Sequence, residues 1–420
     1  MNILLCKYDI SDEMPLWFID FADEVHLVLD DFDKSRDLPS EVLSKMTSIH
    51  YVTSFDSFES VTGVVAEIKE TNTHIDVVAS FTEFSQIGAA YIAQLLGVEH
   101  QSIAMAAATR DKRLMKMRAR SSGIPCTRFL SIPTRESVDS LRDLSNLNFP
   151  VVIKPAAGMS TMSTEIAEDE AEALEIIKSL DIPPQFGSKQ IIVEEFIEGD
   201  EFLVDAIWDK GDCVHFSIAK YVNPRLHAND SQAINGCFLL REDENHLFYD
   251  QVRDFHARVN EAFDIIDGAT HLEFFQLRDG TLMFSELATR LGGGGSPPMI
   301  RGGLGFDIRE LWAAQQADAL EKMPSSKESS FPAVGFFNLE PYHPGFIKSV
   351  PDIGSIRNEQ GILEARLMTE LGNFHSREHP SEWGVFLIIG GKNPDELVDK
   401  FLDISKRYPF ETSSPRIENP

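Results

Sequence analysis

The first chemical signal in the chain is a pair of glutamates set to face each other across a hairpin. Residues 270–277 (THLEFFQL) and 281–287 (TLMFSEL) read as strands joined by Arg278-Asp279-Gly280, and Asp-Gly is a preferred two-residue hairpin turn. With Asp279 and Gly280 central, Arg278 pairs with Thr281, Glu273 faces Glu286 and His271 faces Ala288. Directly opposed residues have Cβ atoms about 4.5–5.5 Å apart, and like charges there repel. Strand glutamates usually sit on a solvated face. Here Leu272, Phe274 and Phe275 flank one and Phe284 and Leu287 flank the other, so the strands read as largely buried. A hard divalent cation that takes oxygen ligands and bridges carboxylates to phosphates, Mg²⁺, resolves the repulsion.

Two lysines and a small-residue loop add anion chemistry. Val151-Val152-Ile153-Lys154-Pro155 is an apolar strand ending in a lysine, and residues 156–164 read AAGMSTMST, with Gly158 and Ser160. Such a loop lets backbone amides and hydroxyls approach phosphate oxygens. It lacks P-loop spacing, and by itself a flexible surface loop is the more frequent meaning. Residues 110–120, RDKRLMKMRAR, hold six of the chain's 38 basic residues. They read as a basic helix carrying Lys112, with Leu114 and Met117, at i and i+3, as its core contacts.

Residues 193–202 read VEEFIEGDEF, and here the chain resembles the ATP-grasp superfamily of carboxylate–amine ligases. The signatures of that superfamily run in order from Arg110 to Arg290: a lysine-bearing helix, a strand lysine, a lid loop, a hinge of the form E-x-x-x-x-G-x-E, and two metal acids closing with an arginine. The resemblance implies that Lys112 and Lys154 contact nucleotide phosphates. It places Glu194, Glu195 and Ile197 on the hinge whose backbone reads adenine, and Glu201 on the ribose hydroxyls. Glu273 and Glu286 become the metal ligands, and Arg290 the group that steadies an acyl phosphate. Ala288 stands where many relatives carry an asparagine ligand, which puts a second metal in doubt. His271, opposite Ala288, is either a substrate or phosphate contact in the vacated space or a buried structural histidine. The run ELATRLGGGG resembles most the bacterial L-amino-acid ligases, which join free amino acids into dipeptides.

These residues need elements to hold them. Short apolar runs NILLC, VHLVL, SIHYV and THIDVVASF alternate with helix-compatible sequence, the pattern of a parallel α/β domain, followed by a helix that Gly97 closes. The expected organisation is α/β with α+β: an N-terminal α/β domain over 1–125 that includes the basic helix, a lid domain over 126–197, and a C-terminal α+β domain over 198–420. Within the last, Arg225 and His227 read as exposed loop residues, KMPSSKESS (322–330) as a polar linker, and the tail after Tyr408 as extended or frayed.

The 67 acidic and 38 basic residues leave a formal charge of −29, which opposes phosphate-driven binding to nucleic acid or anionic membranes. Four cysteines without C-x-x-C spacing fit a reducing compartment. With no signal-peptide pattern and no long apolar run, the expectation is a cytoplasmic enzyme. Its expected partners are L-amino acids, neither nucleic acid nor membrane, with a homodimer allowed. The expected reaction uses ATP and Mg²⁺ to make a dipeptide through an acyl phosphate, releasing ADP and phosphate. Two alternatives stand beside it. One is a biotin-dependent carboxylase, suggested by Met115-Lys116-Met117, a tripeptide also found around carried biotin. The other is a non-catalytic nucleotide-binding regulator.

Overall fold

A computed structural model describes the chain except residues 8–13, 99, 134–143, 184, 185, 187, 228–232, 324–328, 378–381 and 414–420. The four N-terminal apolar runs form a parallel sheet in the order Ser48–Tyr51, Glu24–Leu29, Asn2–Cys6, Val77–Ser80. The helix Gln86–Leu96 follows and ends at Gly97, whose φ of 75° is the left-handed cap that glycine adopts without strain.

Residues 129–195 build a second, antiparallel sheet ordered Phe129–Ile132, Ile191–Glu195, Val151–Pro155, Glu165–Ala167. The helix Glu170–Ser179 covers it, started by the Asp169 carboxylate accepting from Glu172 N and buried through Ala173 and Ile177.

The third layer is an eight-stranded antiparallel sheet in the order 282–288, 268–276, 200–209, 212–221, 236–239, 333–339, 385–391, 362–367. The helix His246–Phe263, absent from the sequence reading, packs on one face. Its buried Tyr249, Val252, Phe255, His256, Val259 and Phe263 recur at three- and four-residue steps, a helical period that the many neighbouring strand-like runs obscured.

One expectation about segments changes and another is narrowed. The basic helix Lys112–Ser121 packs on the large sheet, where Met115 and Ala119 share a core with Phe274 and Phe284, so this part of residues 1–125 is built into the larger layer. Of the two forms expected for the tail, residues Glu411–Ser413 take the extended one, pairing with Gly345–Ser349 in a three-stranded sheet. The central part of the 322–330 linker, and the tail beyond Ser413, lie outside the described residues. Among the described residues no helix is long and apolar enough to cross a membrane.

Candidate active site

Glu273 does face Glu286, and His271 faces Ala288, but not through a two-residue turn. Leu277 N donates to Thr281 O at 2.9 Å and Gly280 N to Leu277 O at 2.9 Å, leaving Arg278-Asp279-Gly280 as a three-residue loop with Gly280 at φ 85°. That loop shifts the pairing by one residue, so Phe274 lies opposite Phe284, and a bulge at Ser285 then shifts it back. Because side chains alternate along a strand, the extra residue sends Phe284 and Glu286 to opposite faces. Phe284 enters the core at 0% exposure, while Glu286 joins Glu273 on the cleft side, each 27% exposed. The bulge's carbonyl, Ser285 O, accepts from Lys116 Nζ at 3.3 Å.

Glu286 is the middle of a charge ladder drawn from three parts of the chain. Lys112 Nζ lies 3.0 Å from its Oε2 and Lys154 Nζ 2.8 Å from its Oε1. Lys154 also meets Glu194 Oε1 at 2.5 Å, and Lys116 meets Glu194 Oε2 at 2.8 Å. Burial works against ionising Glu286, but the ammonium groups of Lys112 and Lys154 outweigh it and hold the carboxyl well below the usual carboxylate range. By the same balance of burial against charge, Glu194 and Glu286 keep Lys154 protonated far above neutrality. Within this cluster three lysines face two carboxylates, while the neighbouring Asp205, His271 and Glu273 carry one more acid than base.

A second group sits beside it on the same sheet face. His271 donates from Nδ1 to Asp205 Oδ1 at 3.0 Å and from Nε2 to Glu273 Oε1 at 3.3 Å. Burial opposes its charge, yet the two acids push its pKa up to about 9, so it is an imidazolium at neutral pH. Burial and the neighbouring Glu273 carboxylate push Glu201 up to about 8, although Arg225 N donates to its Oε2 at 2.6 Å. Arg290 is held 3.2 Å from Glu83 Oε1, in the short turn Glu83–Ser85 that follows the strand Val77–Ser80, and its Nη1 donates to Leu291 O at 2.7 Å.

The remaining sequence-derived positions divide. Glu194 and Glu195 lie in a strand paired on both sides, and Phe196 N is taken by Pro150 O at 3.0 Å. Sheet pairing takes the Glu195 amide, which donates to Arg128 O at 3.1 Å, together with that of Phe196, and Ile197 lies just past the strand. The Glu194 side chain joins the lysines, and the Glu195 carboxylate binds Arg128 and Asn148 N. In the lid loop, the Gly158 carbonyl accepts from Lys112 Nζ at 2.8 Å, and the Gly158 amide donates to Pro155 O at 3.2 Å. Ser160 is exposed at φ 55°, in the left-handed region that favours glycine.

The basic helix turns the other way from the one expected: Leu114 and Met117 are 47% and 51% exposed, whereas Lys116 is 1% exposed. Lysines placed i and i+4 thus point inward, toward Glu286 and Glu194, because those acids supply the counter-charge that a buried ammonium needs. A lysine so enclosed cannot be a carrier side chain, which removes the tripeptide as a carboxylase signal. Arg225 and His227 are only partly exposed; Arg225 Nη1 donates to Asn235 Oδ1 at 2.9 Å, and His227 packs on Phe196. The sequence reading missed Lys116, Glu83 and Asp205. An aspartate inside the apolar strand FLVDAIW was the one legible signal among these.

Among the described residues no three or more Cys, His, Asp or Glu side chains are grouped so as to hold a metal by themselves. Glu273 and Glu286 offer two hard carboxylates on one face, which suits an ion that leaves its other positions to water and substrate phosphates.

Comparison with known proteins accords with this geometry. Residues 147–297 match the ATP-grasp domain family. The chain is 28% identical over 311 residues, 73% of each chain, to the L-arginine-specific L-amino acid ligase of Bacillus subtilis. It is 23% identical to the alanine–anticapsin ligase of Bacillus subtilis strain 168, over 59% of this chain and 53% of that enzyme. The crystal structure of the L-amino acid ligase from Bacillus licheniformis superposes with a TM-score of 0.75 at 17% identity, covering 99% of both chains.

Proposed function

The chain carries an ATP-grasp domain on an ATP-grasp fold, and from that premise we propose that it is an ADP-forming ligase joining L-amino acids into a dipeptide in the cytoplasm. The observation that carries this is the convergence of Lys112 and Lys154 on Glu286 at 3.0 and 2.8 Å. Two cations from separate layers occupy the place where nucleotide phosphates and a metal acid must meet. Phosphate oxygens take the two ammonium groups, and Glu286 is released toward the cleft beside Glu273. Glu273 and Glu286 would hold Mg²⁺, which would neutralise charge developing on the phosphates.

One substrate's carboxylate oxygen attacks the γ-phosphorus, the bond to the β,γ-bridging oxygen breaks, and ADP leaves. Arg290, with its planar fork, steadies the acyl phosphate. The amine of the second amino acid then attacks the acyl carbon, loses its proton and expels phosphate. His271, fixed between two acids, orients Glu273; Glu201 is left for the ribose and Ile197 for adenine. The chain's contribution is positioning and charge. With ATP, Mg²⁺ and pooled L-amino acids, the protein should release ADP, orthophosphate and dipeptide in equal amounts. AMP and pyrophosphate as products would overturn the acyl-phosphate route.

A further inference from the structure

Asp205 is the acid that this mechanism leaves unused. It stands within the strand Asp200–Asp209, 1% exposed, and accepts three hydrogen bonds from two other segments. His271 Nδ1 lies 3.0 Å away, Gly292 N lies 2.7 Å away, and the Ser296 hydroxyl is the third donor. Two of them lead toward residues of the proposed site. His271 passes to Glu273 through its other ring nitrogen at 3.3 Å. Gly292 is two residues beyond Arg290, and Ser296 opens the helix Ser296–Leu304 that ends the glycine-rich loop. The junction has no spare room: a Cβ at Gly292 would fall 2.7 Å from both Asp205 Oδ1 and His271 Nδ1. A carboxylate cut off from water keeps its charge only where such donors are fixed around it.

We propose that Asp205 is a positioning residue that sets Glu273, through His271, and Arg290, through Gly292, in fixed relation, so that phosphoryl transfer and amide formation stay coupled. The inference rests on the ligase reading above. It makes a carboxylate that touches no reacting atom the mechanical link between the metal side and the acyl side of the cleft.

The test compares Asp205→Asn and Ser296→Ala with the unaltered protein by three readouts. These are ATP affinity by calorimetry, Mn²⁺ affinity of the ADP-bound protein at equilibrium without turnover, and the ratio of dipeptide to ADP. Asp205→Asn should weaken Mn²⁺ binding about tenfold and drop the ratio below one, with ATP affinity within about twofold, the range expected when a partner of a metal ligand is changed. Ser296→Ala, which leaves His271 bound, should lower the ratio and spare Mn²⁺ affinity. Unaltered ratio and Mn²⁺ affinity in a folded Asp205→Asn would overturn the proposal, as would loss of ATP affinity in step with both. Should that variant fail to fold, normal values in both Ser296→Ala and His271→Gln overturn it equally. Absence of dipeptide from the unaltered protein is failure of the ligase reading, and the Mn²⁺ measurement still decides the link from Asp205 to Glu273.

Discussion

Lys154 and Glu286 are bound to each other at 2.8 Å across 132 residues of sequence. The lysine ends a strand of the smaller antiparallel sheet, and the glutamate lies on the edge strand of the large one. The contact closes one sheet onto the other, and it occupies the cation that a phosphate would need. On the proposed reading, nucleotide binding exchanges counter-ions at Glu286, which gives the first prediction its sign.

Glu286→Gln keeps the side chain's shape and removes the charge that competes for Lys112 and Lys154. ADP without divalent metal should bind more tightly to this variant than to the unaltered protein, while ATP turnover with Mg²⁺ should fall by about 10²–10³. Calorimetry and phosphate release measure the two arms; near-normal turnover at saturating Mg²⁺ would remove Glu286 from the reaction.

Lys116 and Lys154 separate stability from nucleotide binding. Each holds the buried Glu194, and stripping one partner from a buried ion pair costs about 3–5 kcal/mol. Lys116→Met and Lys154→Met should both lower the urea midpoint of the nucleotide-free protein. Only Lys154→Met should also weaken ATP binding, since Lys116 reaches no further than Glu194 and Ser285. Equal losses of ATP affinity in both variants would contradict this division.

Stability of the metal-free protein should fall as pH rises from about neutral to 9. His271 has a folded pKa raised from 6.5 to about 9, so its contribution is complete below 6.5 and is lost on passing through 9. Glu201, raised from 4.5 to about 8, keeps a proton that the unfolded chain has given up, and folding weakens through that window too. Thermal midpoints between pH 6 and 9.5 should decline, less steeply in His271→Gln. A flat profile in the unaltered protein would show that the pair of acids does not hold His271 charged.

Arg290→Lys preserves charge but loses the two-pronged donor geometry. ADP formation should then exceed dipeptide formation, because an acyl phosphate left unsteadied is open to water, whereas ATP affinity should change less than about threefold, the phosphates being held by the lysines. Equal loss of binding and coupling would place Arg290 on the nucleotide instead.

What could be read from the sequence was local. The parallel sheet followed from alternating apolar runs, and the Glu273–Glu286 pairing from two strands and a turn, although that pair survives only because two departures cancel, a loop one residue longer and a bulge at Ser285. A bulge has no reliable sequence signature; it is decided by the need to bury Phe284 while leaving Glu286 outside. Which face of the basic helix points inward was likewise not local. Hydrophobicity alone favours Leu114 and Met117, and only the acids brought from residues 194 and 286 make it cheaper to enclose Lys112 and Lys116. Asp205 belongs to the same class, since its partners lie 66, 87 and 91 residues away. Residue types and short spacings determined which chemistry the chain carries, because register and turn geometry are settled within a few residues. Tertiary structure decided which charges neutralise one another, because a buried ion finds its partner only after the layers have closed.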